Sequence, residues 1–313
     1  MTVYDCCCFL NENDLYEIRL NQHWDFVDKF IVVEAGETHT GIKKPLNFDH
    51  ERFKPYASKI IYVSFDNFEE EMKKFPELDC LVGKQVHEAD SKLNHVDWAR
   101  DHFQMNYFKK VLNDQNAQDD DIVIFSCLDE MIKKNSFYQS LEVFKDKEKL
   151  YTPYNFTNKH VYHEMGQLRP CLFFNLDVYV YKFNILGGSH VGGYQAANIT
   201  EFSNFKKILP GTLRALCTET HSCIKDAGWH FTFFDDSNGD KVYQKMKSWA
   251  HSKDVFPDGR RRSDVKTSEE AVQFMLSEYK ISIPRDVVPM TELTHPKYLI
   301  DNQEKFKNFI LTL

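Results

Sequence analysis

Four short apolar runs, each leading into polar or acidic residues, set the strongest constraint on how this chain can fold. They are Val3–Phe9, Phe30–Val33, Ile60–Val63 and Ile122–Phe125. Segments with helical character separate them. After the first run, Asn11–Asp14 supplies cap and turn residues, and Leu15, Ile18 and Leu20 follow at near-helical spacing. His50–Ser58 reads as a short helix. Val96–Asn113 reads as a longer one, burying Trp98, Phe103, Tyr107, Phe108, Val111 and Leu112. Strands alternating with helices predict an α/β fold with a mainly parallel central sheet and flanking helices. Ligands of such sheets sit beyond the carboxyl ends of the strands. That rule gathers Asn11, Glu12, Glu34, Asp129 and Glu130 around one crevice.

The second half of the chain is less regular. Lys149–Asn158, Val161–Glu164 and Leu172–Phe183 read as strands of a mixed or antiparallel extension, and Gly187-Gly188 with Gly192-Gly193 as a flexible loop. Helices are expected over Asp240–Ser252, Ser268–Tyr279 and Asn302–Leu311. No internal repeat or linker breaks the chain, so residues 1–313 are expected to form a single domain. Within it, residues 1–130 and 131–260 are expected to form two halves and 261–313 a helical C-terminal tail.

A net charge of −8 argues against broad electrostatic binding to nucleic acid. Against that balance, Arg260-Arg261-Arg262 reads as a solvated loop or as a phosphate clamp. The eight cysteines, three of them adjacent at Cys6, Cys7 and Cys8, show neither a disulfide framework nor a zinc spacing. Reduced, buried thiols, a start without signal-peptide character and no apolar window of about 18 residues lead to the expectation of a soluble, cytoplasmic protein. An aromatic share of 14% suits either a deep core or a sugar-binding cleft.

Two motifs carry candidate chemistry. Asp129-Glu130 follows the fourth strand, where carboxylates can hold a divalent cation and the cation a diphosphate; the plain alternative is a capping turn. In Gly228-Trp229-His230-Phe231-Thr232-Phe233-Phe234-Asp235-Asp236, an imidazole among aromatics could serve a metal or phosphate, or be a core histidine bonded to a backbone carbonyl. Trp98-Ala99-Arg100-Asp101 opens the long helix, with its charges on the solvent face or aimed at a ligand.

Taken together, these residues resemble glycosyltransferase family seventeen, the beta-1,4-mannosyl-glycoprotein N-acetylglucosaminyltransferases. The resemblance runs through Tyr4-Asp5-Cys6, Phe9–Glu12, Leu15–Leu20, Val27–Ala35, Thr38–Gly41 with Lys44-Pro45-Leu46, and Trp98–Asp101 with Gln104 and Asn106. It continues in Ala227–Phe231 and Ser248–His251 and covers most of residues 3 to 255. It implies a GT-A type nucleotide-sugar-binding fold, with residues 1–130 as the nucleotide-binding half and 131–260 as the acceptor-side half, a UDP-sugar donor, Mn2+, and inversion by a carboxylate-assisted attack of an acceptor hydroxyl. Asp129, Glu130 and Asp235 would then be catalytic, and Asp129 and His230 would hold the metal. Asn11, Glu12, Glu34, Thr38, Arg100, Asp101 and Trp229 would bind the nucleotide-sugar. The acceptor would be a glycan, a small molecule or a modified nucleobase. The chain departs from the family pattern at Cys127, where an Asp is usual, and at Asp235-Asp236, where glycines are usual. A thiol is a poor ligand for a hard cation. The competing reading is therefore a non-catalytic sugar- or nucleotide-binding protein with a degenerate metal site.

Overall fold

The four apolar runs become β1 (Val3–Phe9), β2 (Lys29–Ala35), β3 (Ile60–Phe65) and β4 (Ile122–Phe125) in a computed structural model. The structure describes residues 1–78, 95–145, 171–187, 196–215, 223–256 and 258–312. These strands pair in parallel in the order β3-β2-β1-β4. Four further strands complete an eight-stranded sheet: β5 (Glu130–Ile132), β6 (Leu172–Val180), β7 (Asn198–Glu201) and β8 (Cys223–Thr232). The full order is β3-β2-β1-β4-β7-β6-β8-β5.

The expectation of a mainly parallel sheet is thus corrected to a mixed one. β7 is antiparallel to both β4 and β6, β6 and β8 are parallel, and β5 is antiparallel to β8. Two reversals restore the direction, so β8 runs the same way as β1 and its carboxyl end faces the same side. The expected strands at 149–158 and 161–164, and most of the glycine loop, lie outside the described residues.

Alternation along the strands explains why the sheet is buried on both faces. Val3, Cys7 and Phe9 of β1, with Phe30 and Val32 of β2, point into one core. Tyr4 and Cys6, with Ile31, Val33 and Ala35, point into the other. The first core is covered by α1 (Asn13–His23), which contributes Leu15, Tyr16, Ile18 and Leu20. The second is covered by α3 (Phe68–Lys74) and the long α4 (His95–Asp114); α2 (His50–Phe53) is a single turn between strands. α5 (Lys134–Lys145) follows β5, and the short α6 (Phe202–Phe205) and α7 (Pro210–Ala215) follow β7. A third core joins Val178 and Val180 of β6 to α8 (Asp240–Ser248) and α9 (Ser268–Glu278).

The C-terminal segment is less helical than expected. Asn302–Leu311 is mostly turns, with a single 3-10 turn at Lys307–Phe309, after the short α10 (Lys297–Asp301). Its role is to deliver Phe306 and Phe309 into the first core against Phe183, and Phe309 stacks on Phe234 at 5.0 Å. Much of the aromatic excess therefore fills the core.

Candidate functional site

A buried arginine shapes the loop that carries the acidic motif. Arg19 projects from α1 with no side-chain exposure. Its Nη1 donates to the carbonyls of Cys127 (2.7 Å), Leu128 (3.2 Å) and Glu130 (2.7 Å), and its Nη2 to Ser126 Oγ (2.7 Å). Asp5 of β1 balances the charge by accepting from Nε and Nη2. His23 completes the unit: Nδ1 lies 2.8 Å from Asp5 Oδ2, and Nε2 is 3.0 Å from the Ile132 amide, which donates to it. Burial pushes the His23 imidazole below its ordinary pKa, so it stays neutral, with Nδ1–H donating to Asp5. With its carbonyls tied down from below, the loop turns the side chains of Cys127, Asp129 and Glu130 towards the carboxyl edge of the sheet.

There they border a cavity of about 430 Å³, in the size range of small-molecule sites. Its wall is drawn from the ends of β1 (Cys8, Phe9), β2 (Ala35) and β4 (Phe125), the following loop residues Glu37, Thr38 and His39, and Asp101, Gln104 and Met105 of α4. The opposite side comes from Arg214, His230, Thr232, Lys245, Trp249, His251 and Arg262. A second hollow of about 40 Å³ adjoins it, lined by Asn11, Asp14, Phe231, Phe234, Lys241 and Phe309. Leu10, Glu12, Asp129 and Lys245 border both.

Each acid of the motif faces a protein cation. Asp129 Oδ2 is 2.9 Å from Lys245 Nζ, and Oδ1 is 3.6 Å from His230 Nε2. Burial pushes the Asp129 carboxyl up, but Lys245 and then His230 outweigh it and hold the carboxyl below the usual range. Glu130 receives Arg214 in a fork, Nη1 to Oε2 at 2.9 Å and Nη2 to Oε1 at 2.5 Å, and also accepts from the Cys127 amide at 3.0 Å. Cys127, Asp129 and Glu130 place one ligand atom each within 4.8 Å of one another, a cluster of a size to hold a metal ion. His230 stands beside Asp129 rather than in that cluster. Burial pushes the Cys127 thiol well above its ordinary pKa, so it stays protonated.

The expected site residues divide into two groups. Glu12, Thr38, Asp101, Asp129, Glu130 and His230 line the large cavity, and Asn11 lines the smaller one. Glu34, Arg100, Trp229 and Asp235 line neither. Glu34 is fully buried and accepts from Lys44 Nζ (2.6 Å), the Asn47 and Phe48 amides and the Tyr62 hydroxyl, which folds the 44–48 loop onto β2. Arg100 donates to the His39 carbonyl at 3.0 Å. Trp229 alternates with His230 along β8, so its ring faces away and Nε1 donates to the Thr294 carbonyl at 2.7 Å. Asp235 is fully buried, and its carboxylate accepts the amides of Ser237, Gly239, Lys241 and Val242, anchoring the start of α8. Of the arginine run, Arg260 is exposed. Arg262 is buried on the cavity wall, paired with Glu278 and over the rings of Trp249 and Phe256.

Sequence reasoning missed Arg19, Arg214 and Lys245. For Arg19 the signal was available: a cation on the apolar stripe of α1, with Asp5 inside an apolar strand, implies a buried pair. Nothing local marks Arg214 or Lys245, which lie some 84 and 116 residues from their carboxylates.

The model of glycosyltransferase family 17 matches residues 1–146. Over that span, a little under half of the chain, the protein is similar to glycosyltransferase family 17. The matched part carries the parallel strands, α1 and the Cys127–Glu130 loop. No curated protein matches the chain significantly. That similarity supports a glycosyltransferase activity in general. Among the described residues no helix is long and apolar enough to cross a membrane.

Proposed function

We propose that the large cavity binds a nucleotide-sugar, a UDP-sugar in the family's manner, in a GT-A type arrangement, and that the sugar passes with inversion to an acceptor hydroxyl. The observation that carries this reading is the cavity at the carboxyl ends of β1, β2, β4 and β8, with the Asp129–Lys245 and Glu130–Arg214 pairs on its wall. Thr38, His39, Asp101 and Gln104 would meet the nucleoside, and the phosphates would lie towards Asp129. The acceptor would enter from the smaller hollow, so that the anomeric carbon sits where the two cavities meet. Glu12 borders both, and we assign it the acceptor proton.

Mn2+ is a poor match to this donor set. Both carboxylates are already engaged by protein cations, and the third ligand is a protonated thiol. No step in this reading therefore passes through a metal. The described cysteines Cys6, Cys7, Cys8, Cys127, Cys171 and Cys223 are all free thiols, which supports a reducing, cytoplasmic setting.

The test is nucleotide release from a panel of UDP-sugars by the wild type and by Asp129→Ala, with melting temperatures of both. Loss of the carboxylate that orients Lys245 should cost turnover about a hundredfold or more, while the protein stays folded. Near-wild-type turnover in Asp129→Ala would defeat the proposed site. Donor binding without any turnover would favour the non-catalytic reading.

A further inference from the structure

We propose that Lys245 and Arg214 together take the place of a divalent cation, holding the donor's diphosphate and stabilising it as it leaves. The inference rests on the donor-binding reading above. Two carboxylates and one divalent cation sum to zero, and so do Asp129 and Glu130 with one ammonium and one guanidinium. The two pairs are built, not incidental: Lys245 Nζ is 2.9 Å from Asp129, and Arg214 meets both oxygens of Glu130. Both cations border the large cavity, with side chains 24% and 14% exposed. The third ligand atom of the acidic cluster is the Cys127 sulfur, a poor ligand for a hard cation.

Lys245 is held from two directions. Its helix is fixed at the start by the four amides on Asp235, and its ammonium lies 5.4 Å from the Phe233 ring centroid and 5.6 Å from that of Trp249. An ammonium has three N–H donors, and the bond to Asp129 uses one of them. In the transfer, the bond between the anomeric carbon and the β-phosphate oxygen breaks and its electron pair stays on that oxygen. The acceptor oxygen bonds the anomeric carbon, and its proton passes to the Glu12 carboxylate. The added negative charge on the diphosphate then falls beside Lys245 and Arg214, preorganised donors in a partly enclosed site.

The test is calorimetry of uridine, guanosine, adenosine and cytidine diphosphates and monophosphates, in EDTA and in Mn2+. In the wild type, one diphosphate should bind about tenfold or more tightly than its monophosphate in EDTA, with little change on adding Mn2+. Lys245→Met and Arg214→Met should each remove about tenfold of that preference and leave the monophosphate unaffected, and Lys245→Arg should retain it. Melting temperatures monitor folding. If Lys245→Met alone is unstable, Lys245→Met with Asp129→Asn removes both charges together and should lose the same preference. A diphosphate preference that appears only with Mn2+, or that survives loss of Lys245, overturns this inference and leaves the donor site standing. No binding of any nucleotide under either condition overturns both.

Discussion

Asp5, Arg19 and His23 show how single residues set the site without touching it. All three are fully buried, and together they reach the backbone of the loop from Ser126 to Ile132. Burial raises the Asp5 carboxyl, but Arg19 and then His23 outweigh it and hold it below the usual range. A carboxyl whose folded pKa is depressed adds stability above its unfolded value of about 4, and that stability is lost as pH falls from there towards the folded value. Asp5→Asn leaves Arg19 as a buried cation without its counter-ion, at a cost of about 3–5 kcal/mol near neutral pH. Denaturant unfolding of both proteins should show this gap to be full above about pH 5 and to narrow below about pH 4. A gap that is constant down to pH 3 would show that the pair does not carry the effect.

At the scale of elements, β8 and α8 turn a stretch of sequence into one side of the site. β8 sends His230 and Thr232 to the cavity and Trp229 and Phe231 to the core. Its Gly228 lets β5 approach, since a Cβ there would stand 2.0 Å from the Met131 carbonyl oxygen. α8 begins at Gly239, whose φ of 96° and close contact with α9 exclude a side chain, and it depends on Asp235 for its first amides. Asp235→Ala should therefore destabilise by about 1–3 kcal/mol, as buried amides lose their acceptor. It should also weaken diphosphate binding in the same sense as Lys245→Met, because α8 positions that lysine. Melting temperature and calorimetry on one sample check both. Unchanged nucleotide affinity in a destabilised protein would confine Asp235 to structure.

Across the whole molecule, the C-terminal segment closes the first core beside β6 and β8. Phe306 and Phe309 meet Phe183, while Trp229 and Tyr179 both donate to the Thr294 carbonyl. Phe306→Ala should cost about 3–5 kcal/mol as a large-to-small change at a 1% exposed position, read as a lower denaturation midpoint. The loss should reach the site through β8, so nucleotide affinity and the melting temperature should fall together in this variant. A melting temperature near that of the wild type would mean that the segment only decorates the core.

The parallel half of the fold and the place of the acidic motif were legible in the sequence. Apolar runs of strand length, separated by capped amphipathic segments, leave a chain few ways to bury them, and Asp129-Glu130 directly follows such a run. The second half reads as a mixed or antiparallel extension, as the sheet is there, but not as one reversed by β7, because the four-residue run Asn198–Glu201 is too short to stand out as a strand. Glu34 illustrates the limit: its position at a strand end was readable, but the 44–48 loop that occupies its carboxylate was not. Trp229 and Asp235 sit in the right segment, yet strand alternation and the anchoring of α8 turn them away from the cavity. The Lys245–Asp129 and Arg214–Glu130 pairs join residues far apart in the chain, and an ion pair across such a separation has no local pattern. Sequence periodicity determined which residues go inside and which lie at strand ends; only the folded chain decided which carboxylates met a cation, because that depends on distances between elements the sequence does not order.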